Sequence, residues 1–115
     1  MKKINIIKES KDFEKIIKNN KSFRTKYFYI YIQRKEEKNY RFGISVGKKI
    51  GNAVKRNKIK RQIRSIISKR DYKNNFNCII IVRREINSAD FLQIKEDLNK
   101  NLKELFIMKE KIDEK

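Results

Sequence analysis

The chain has 115 residues and a formal net charge of +18, because 32 Lys and Arg side chains outnumber 14 Asp and Glu. This length predicts one domain over residues 1–115, a hydrophobic fraction of 38% argues against disorder throughout, and the lack of His with a single Cys excludes a zinc site and the commonest general base. A folded domain with this much positive charge repels itself unless a polyanion binds it, so the composition predicts a nucleic-acid partner.

The first predicted element is a short helix that follows a basic lead-in over residues 1–8, which we expect to be largely irregular and frayed. Ser10 is placed to cap this helix. Phe13, Ile16 and Ile17 then follow at helical spacing and form one narrow apolar stripe. The helix is expected to end near residues 19–20, where two Asn favour a turn.

Two strands are predicted next, because the chain alternates between two faces over residues 26–33 and again over residues 40–46. The charged stretch between them predicts a turn, so we expect an antiparallel hairpin. In the first strand, Tyr27, Tyr29 and Tyr31 fall on one face. This face is either a platform on which nucleotide bases stack or an amphipathic surface that a helix covers.

A basic helix follows a loop that two glycines, Gly47 and Gly51, enclose. Residues 51–64 read GNAVKRNKIKRQIR and hold six Lys or Arg and no acid. Asn52 is placed to cap the helix, which we expect to run to about residue 69. Its apolar stripe consists of four isoleucines at helical spacing, Ile59, Ile63, Ile66 and Ile67.

The charges of this helix divide by their angle around its axis, at about 100° per residue. Arg56 falls within the arc of the isoleucine stripe and Lys60 at its edge, so both charges are expected to emerge along the seam between helix and sheet. The opposite face holds Asn57, Lys58, Arg61 and Arg64. A charge run is often only a solvated face. Here one sign alone brings like charges together at i,i+4 positions, which favours a surface that binds a polyanion.

The last predicted strand is the apolar run over residues 76–82, expected at the centre of a sheet that is covered on both faces. Cys78 lies in this run and is interpreted as a buried, inert thiol in a reducing compartment, which predicts the cytoplasm. Ser88 is placed to cap a final helix, and the charged tail at 109–115 is expected to fray. The apolar stripe of that helix comprises Phe91, Ile94, Leu98, Leu102 and Leu105.

The element order α-β-β-α-β-α predicts an α+β fold, a two-layer sandwich in which helices pack on a mixed sheet of four strands or fewer. An anionic membrane is the rival partner for so basic a chain. It is not expected, because no run of about 18 apolar residues occurs and no signal peptide opens the sequence.

The segment around the basic helix resembles the signature of the protein subunit of bacterial ribonuclease P, which matures the 5′ end of precursor tRNA. That signature is a basic pair, Gly, Ala-Val, Arg-Asn-Arg, Lys-Arg and a further Arg. The matching residues here are Lys48-Lys49, Gly51, Ala53-Val54, Arg56-Asn57, Lys60-Arg61 and Arg64. Lys58 replaces the second Arg of Arg-Asn-Arg, which keeps the charge but loses the bidentate donor geometry. Asp12-Phe13 and the Phe-Gly-Ile-Ser-Val strand before the basic pair extend the resemblance over most of the chain.

The resemblance implies a left-handed βαβ crossover, contrary to the usual right-handed rule. It also implies two partners, ribonuclease P RNA and precursor tRNA, with no protein partner evident. The RNA subunit would perform the hydrolysis with Mg²⁺, which RNA phosphates would mainly hold. The residues implied to dock on the RNA subunit lie on or beside the basic helix: Lys48, Lys49, Asn52, Lys55, Arg56, Asn57, Lys58, Lys60, Arg61 and Arg64.

The resemblance further implies a cleft between the first helix and the sheet that holds the 5′ leader of the substrate, with Phe13, Ile17 and Tyr31 as its contacts. From the residues alone, Phe13 and Ile17 are plain core side chains. Ile17 stands where the family commonly has an aromatic residue, which predicts apolar contact in place of base stacking.

Two rival functions fit a chain of this size and charge, a ribosomal or other general RNA-binding protein and a nuclease in its own right. A nuclease would need catalytic side chains of its own, and the chain offers few. The carboxylates that could be read as metal ligands, Asp12, Glu14, Glu96 and Asp97, are interpreted as ordinary charges on helix surfaces.

Overall fold

The computed structural model describes residues 5–105, which form three helices, four strands and short 3₁₀ turns. Their bounds are α1 Ser10–Asn19, β1 Ser22–Arg24, β2 Phe28–Arg34, β3 Tyr40–Ser45, α2 Ala53–Ser68, β4 Phe76–Val82 and α3 Phe91–Glu104. The 3₁₀ turns Lys48–Ile50 and Arg84–Ser88 lie before α2 and α3. The expected fraying at 109–115 lies outside the described residues.

The sheet is mixed and has the strand order β1-β2-β4-β3. β4 pairs antiparallel with β2 and parallel with β3, so the predicted hairpin of β2 and β3 is wrong. β4 takes the place between them because its unbroken apolar run needs neighbours on both edges and cover on both faces. The predicted central position of β4 is confirmed.

Asn75, which directly precedes β4, forms hydrogen bonds to both ends of the β2–β3 connection. Its carbonyl accepts from the Lys35 amide at 3.0 Å, and its own amide donates to the Asn39 carbonyl at 2.8 Å. The side-chain amide donates to the carbonyls of Glu36 and Glu37. Asn75 adopts φ 73°, a left-handed conformation that Asn tolerates better than most residues. The β2–β3 connection therefore passes over the start of β4, and β2 and β3 do not form a hairpin.

β1 was not predicted, because all three of its residues are exposed and the segment shows no alternation of burial. It pairs antiparallel with β2 across a tight turn. Thr25 organises that turn, since its hydroxyl oxygen accepts from the Tyr27 and Phe28 amides at 3.3 and 3.0 Å and its hydroxyl donates to Asp97 on α3 at 3.0 Å. Consequently the strand predicted from residue 26 begins at residue 28.

Helices cover both faces of the sheet. Cys78 and Ile80 of β4 belong to the core cluster under α2 and α3, whereas Ile79 and Ile81 belong to a second cluster with α1. Neighbouring strand residues point to opposite faces, so α1 lies on the face away from α2 and α3. The α+β class and the four-stranded mixed sheet are confirmed, and α1 adds a partial third layer. The left-handed sense of the β3–α2–β4 crossover stays a prediction.

The segment just before α1 is ordered against β3, in contrast to the irregular lead-in expected there. Ile6 forms a parallel bridge with Phe42, and the Ile7 amide donates to the Phe42 carbonyl at 2.8 Å. The Ile7 side chain is 3% exposed and packs under α1. These contacts partly cover the outer edge of β3.

Of the N-cap residues predicted for the three helices, only Asn52 of α2 is confirmed. Asn52 Oδ1 accepts from the Lys55 amide at 2.9 Å, as predicted. The cap position of α1 is Glu9, without a side-chain hydrogen bond, and not Ser10. α3 is capped by Asp90, which forms a reciprocal capping box with Gln93, and Ser88 lies in the preceding 3₁₀ turn.

Candidate nucleic-acid interface

α2 presents its positive charge as the periodicity predicts. Its four isoleucines are buried against the sheet, and Arg61 and Arg64 are exposed on the other side. Arg56 and Lys60 are half-buried at the seam. Among the described residues the ion pairs are Arg41–Asp12 and Arg83–Glu85, so no basic side chain of α2 is neutralised by a carboxylate.

Arg56 contains a buried donor that lacks a protein acceptor. Its Nε atom is one of two buried side-chain polar atoms in residues 5–105 with no hydrogen-bond partner. This atom has almost no accessible surface, so an external ligand does not reach it in this structure. The Arg56 side chain is only half-buried, and a guanidinium has further N–H groups that suit phosphate oxygens.

Asn52 differs from its neighbours at the start of α2, because its side chain forms a hydrogen bond within the protein. The Asn52 side-chain oxygen is engaged in the helix cap, so it acts first on helix stability. The remaining residues at this end of the predicted docking surface are exposed, namely Lys48, Lys49, Lys55, Asn57 and Lys58. Val54, which falls off the isoleucine stripe, is 78% exposed beside them.

A groove of about 780 Å³ runs between α1, the edge of β3 and α2, and we call it the α1 groove. Its apolar floor includes Phe13 and Ile17, both predicted as leader contacts. Its cationic wall includes Lys60 and Arg64 from α2, which the sequence assigned to a separate docking surface. The fold therefore joins the two predicted sites around the edge of β3.

Tyr31 does not line this groove, because it lies on β2, which β4 separates from β3. It is half-buried in the apolar cluster that also contains Phe13 and Ile17. Phe13 can approach the sheet closely because Gly43 lies beneath it, where an added Cβ would be 2.6 Å from Phe13 Cζ. The three leader residues named from the sequence are thus brought together in one cluster on the α1 face of the sheet.

The predicted face of three tyrosines does not exist. Tyr27 precedes β2 in the Thr25 turn and is 4% exposed in the core under α2 and α3. Tyr29 is exposed, and the Arg83 guanidinium lies 5.4 Å from the centre of its ring. A stacking surface on this strand is therefore limited to Tyr29 and the half-buried Tyr31.

A second basic groove, of about 650 Å³, lies at the carboxyl ends of β3 and β4, and we call it the strand-end groove. It contains Lys48 and Lys49 together with Arg83 and Arg84, which sequence reasoning missed. The signal was available, because parallel neighbours such as β3 and β4 bring their carboxyl ends to one edge. The error in pairing β3 with β2 concealed it.

Arg83 in this groove is held by the protein, whereas the other cations are exposed. Its Nη1 donates to the Thr25 and Lys26 carbonyls at 2.6 and 2.9 Å, and its Nη2 lies 3.3 Å from Glu85. Arg84, Lys48 and Lys49 are exposed on the rim. Arg83 therefore positions Tyr29, and the exposed cations are suited to phosphates.

The carboxylates do not assemble a metal site within residues 5–105, where no group of three or more Cys, Asp or Glu has ligand geometry. Asp12 pairs with Arg41 at 3.2 Å, and Asp97 accepts from Thr25. No helix among the described residues has the length and apolar character to cross a membrane.

Residues 1–106 match the family model described as ribonuclease P. This chain belongs to the bacterial ribonuclease P protein family. The ribonuclease P protein component of Streptococcus equi subsp. equi is 40% identical over 104 residues, 90% of this chain and 87% of the relative. That of Streptococcus agalactiae serotype Ia is 38% identical over 99 residues, 85% of this chain and 91% of the relative.

Solved structures of this family have the same fold. The Staphylococcus aureus RNase P protein superimposes with a TM-score of 0.82 at 36% identity, covering 91% of this chain and 98% of the other. The Thermotoga maritima RNase P protein gives 0.76 at 31% identity, covering 85% and 94%. The family resemblance and the fold class inferred from the sequence are confirmed.

Proposed function

We propose that this chain is the protein subunit of a cytoplasmic ribonuclease P holoenzyme, in which α2 docks on the RNA subunit and the α1 groove holds the 5′ leader of precursor tRNA. The observation that carries the proposal is the composition of that groove. An apolar floor with Phe13 faces a cationic wall with Arg64. This combination suits a single strand, whose bases contact apolar side chains while its phosphates contact cations.

The docking part of the proposal rests on the acid-free face of α2. Arg56, Asn57 and Arg61 combine guanidinium donors with an amide that both donates and accepts, which suits phosphates and ribose hydroxyls. Lys48 and Lys49 extend this surface into the strand-end groove with Arg84. Neutralising several phosphates in this way makes assembly strongly dependent on salt.

The chemistry is assigned to the RNA subunit. The 115 residues contain no His, and the described carboxylates form no metal-binding group. Mg²⁺ keeps most of its waters and binds readily to phosphate oxygens, so RNA phosphates would hold it. The protein's own residues would bind and orient the two RNAs, and the result would be endonucleolytic removal of the leader.

A binding comparison tests the leader assignment. We expect Phe13→Ala to weaken binding of precursor tRNA to the reconstituted holoenzyme by about tenfold, as loss of one stacked base predicts, and to leave binding of mature tRNA unchanged. Phe23→Ala is the matched control, because Phe23 is 48% exposed on β1 and does not line the groove. Equal losses on both RNAs would contradict the assignment and favour a general RNA-binding protein.

A further inference from the structure

A third cavity, of about 310 Å³, opens on the opposite side of α1 from the α1 groove. α1 contributes Asp12 to this cavity, whereas it contributes Phe13 and Ile17 to the groove. The floor consists of Gln33 and Asn77, which are cross-strand partners on β2 and β4. We call this cavity the amide pocket, and no part of the proposed function uses it.

The polar side chains of the amide pocket are fixed by one another. Asn77 is 8% exposed, its Oδ1 accepts from the Lys35 ammonium at 2.9 Å, and its Nδ2 donates to Gln33 Oε1 at 2.9 Å. Arg41 pairs with Asp12 at 3.2 Å on the rim. Gln33 Nε2 and the remaining N–H groups of Lys35 and Arg41 form no hydrogen bond within residues 5–105, and the Glu37 carboxylate has no ion-pair partner there. The pocket therefore offers several free donors, with the Glu37 carboxylate as an opposing acceptor.

The charge around the pocket is also positive. Four basic side chains line it, from Lys15, Arg34, Lys35 and Arg41, against the carboxylates of Asp12 and Glu37. Lys35 has no carboxylate within ion-pair distance in residues 5–105. Burial and the neighbouring Arg41 guanidinium lower the pKa of Lys35, and Glu37 opposes this only in part. A bound anion would offset both effects.

We propose that the amide pocket binds one phosphate group, with Gln33, Lys35 and Arg41 as its donors. Convergent amide, ammonium and guanidinium donors are the set that recognises phosphate oxygens. The volume lies at the lower end of ligand pockets and accommodates a phosphate or a mononucleotide. The phosphate belongs either to a nucleotide or to the free inorganic anion, and the same donors serve both.

A titration of the full-length protein alone tests this site. The probes are inorganic phosphate and adenosine monophosphate, each added at constant ionic strength against chloride, and the readout is the side-chain amide resonances of Gln33 and Asn77. We expect saturable shifts with at least one probe. Saturation by both identifies the phosphate itself as the ligand, and saturation by the nucleotide alone adds a base or ribose contact; each result supports the site.

Two substitutions separate this site from the general positive field. Gln33→Glu keeps the oxygen that accepts from Asn77 but sets a negative charge beside the anion, so the affinity should fall at least about tenfold. Lys38→Met removes an exposed charge from the same turn without touching the pocket and should leave the affinity unchanged. Shifts that do not saturate, that chloride reproduces, or that survive in Gln33→Glu would overturn the proposal. Because no RNA subunit is present, these outcomes are independent of the holoenzyme.

Discussion

Gly43 is the residue on which the position of Phe13 depends. A Cβ at this position would lie 2.6 Å from Phe13 Cζ and 2.9 Å from Ile79 Cδ1. We expect Gly43→Ala to displace the Phe13 ring, to lower the free energy of unfolding by about 1–3 kcal/mol through overpacking, and to weaken binding of leader-bearing substrate.

Gly47→Ala provides the control for this substitution, since its Cβ would meet nothing within 4 Å. Urea unfolding and holoenzyme binding of precursor tRNA, measured on both variants, check the expectation. If Gly43→Ala bound precursor tRNA as well as Gly47→Ala, the position of Phe13 would not matter for the leader.

Cys78 makes the stability of the fold sensitive to alkaline pH. Burial raises the pKa of its thiol well above the ordinary value of 9.0, so the folded state retains a proton that the unfolded state loses. This contribution is fully present below about pH 9 and is lost as the pH rises further. Burial raises the pKa of Tyr72 in the same direction, and the lowered pKa of Lys35 acts in the opposite one.

Replacing Cys78 by Val isolates the thiol, because Tyr72 and Lys35 titrate in both proteins. Between about pH 8 and pH 10 we expect the unchanged protein to lose about 1.4 kcal/mol more unfolding free energy than Cys78→Val. Urea denaturation at the two pH values measures the difference. Identical losses would mean that the thiol ionises in the folded state.

At the scale of elements, α2 has two proposed roles on neighbouring turns. Arg61 is exposed on the outward face, and Arg64 lines the α1 groove beside Phe13 and Ile17. We therefore expect Arg61→Ala to weaken assembly with the RNA subunit and to reduce the salt slope by about one. Arg64→Ala should, in addition, weaken the binding of precursor tRNA more than the binding of mature tRNA. If the ratio of these two affinities were the same in both variants, the groove and the outer face would act as one surface.

The cap of α2 offers a test that separates helix stability from RNA contact. Asn52→Ala removes the acceptor of the Lys55 amide and should lower the unfolding free energy by about 1 kcal/mol. Asn52→Asp retains an acceptor at the cap and should keep that stability, while its negative charge weakens RNA-subunit binding. Thermal unfolding and assembly affinity distinguish the two effects, and loss of stability in both variants would contradict the capping role.

The accuracy of the sequence prediction differed between elements for physical reasons. α2 was predicted closely because a cap residue and a buried stripe of four isoleucines are local signals. β1 escaped detection because an exposed edge strand buries nothing. The predicted pairing of β2 with β3 was wrong because the most apolar segment, β4, lies between them. That position depends on contacts between segments distant in sequence.

At the scale of the whole molecule, the sequence predicted the local features of the candidate site but not the contacts between segments distant in the chain. Helical periodicity located the exposed charges of α2 and the seam that holds Arg56. It could not show that Lys60 and Arg64 reach the groove of α1, because that contact forms around the edge of β3. Nor could it place Arg84 beside Lys48 and Lys49, which depends on the parallel pairing of β3 and β4.

Taken as a whole, the molecule has positive grooves at the edge and at the end of one sheet, and few groups capable of catalysis. Its central proposed role is to make a catalytic RNA competent at low Mg²⁺. The most direct measurement is 5′ cleavage of precursor tRNA at low Mg²⁺ by ribonuclease P RNA alone, by this protein alone and by the two together. Cleavage should occur only with both, whereas cleavage by the protein alone, or a lack of stimulation of the RNA, would contradict this account.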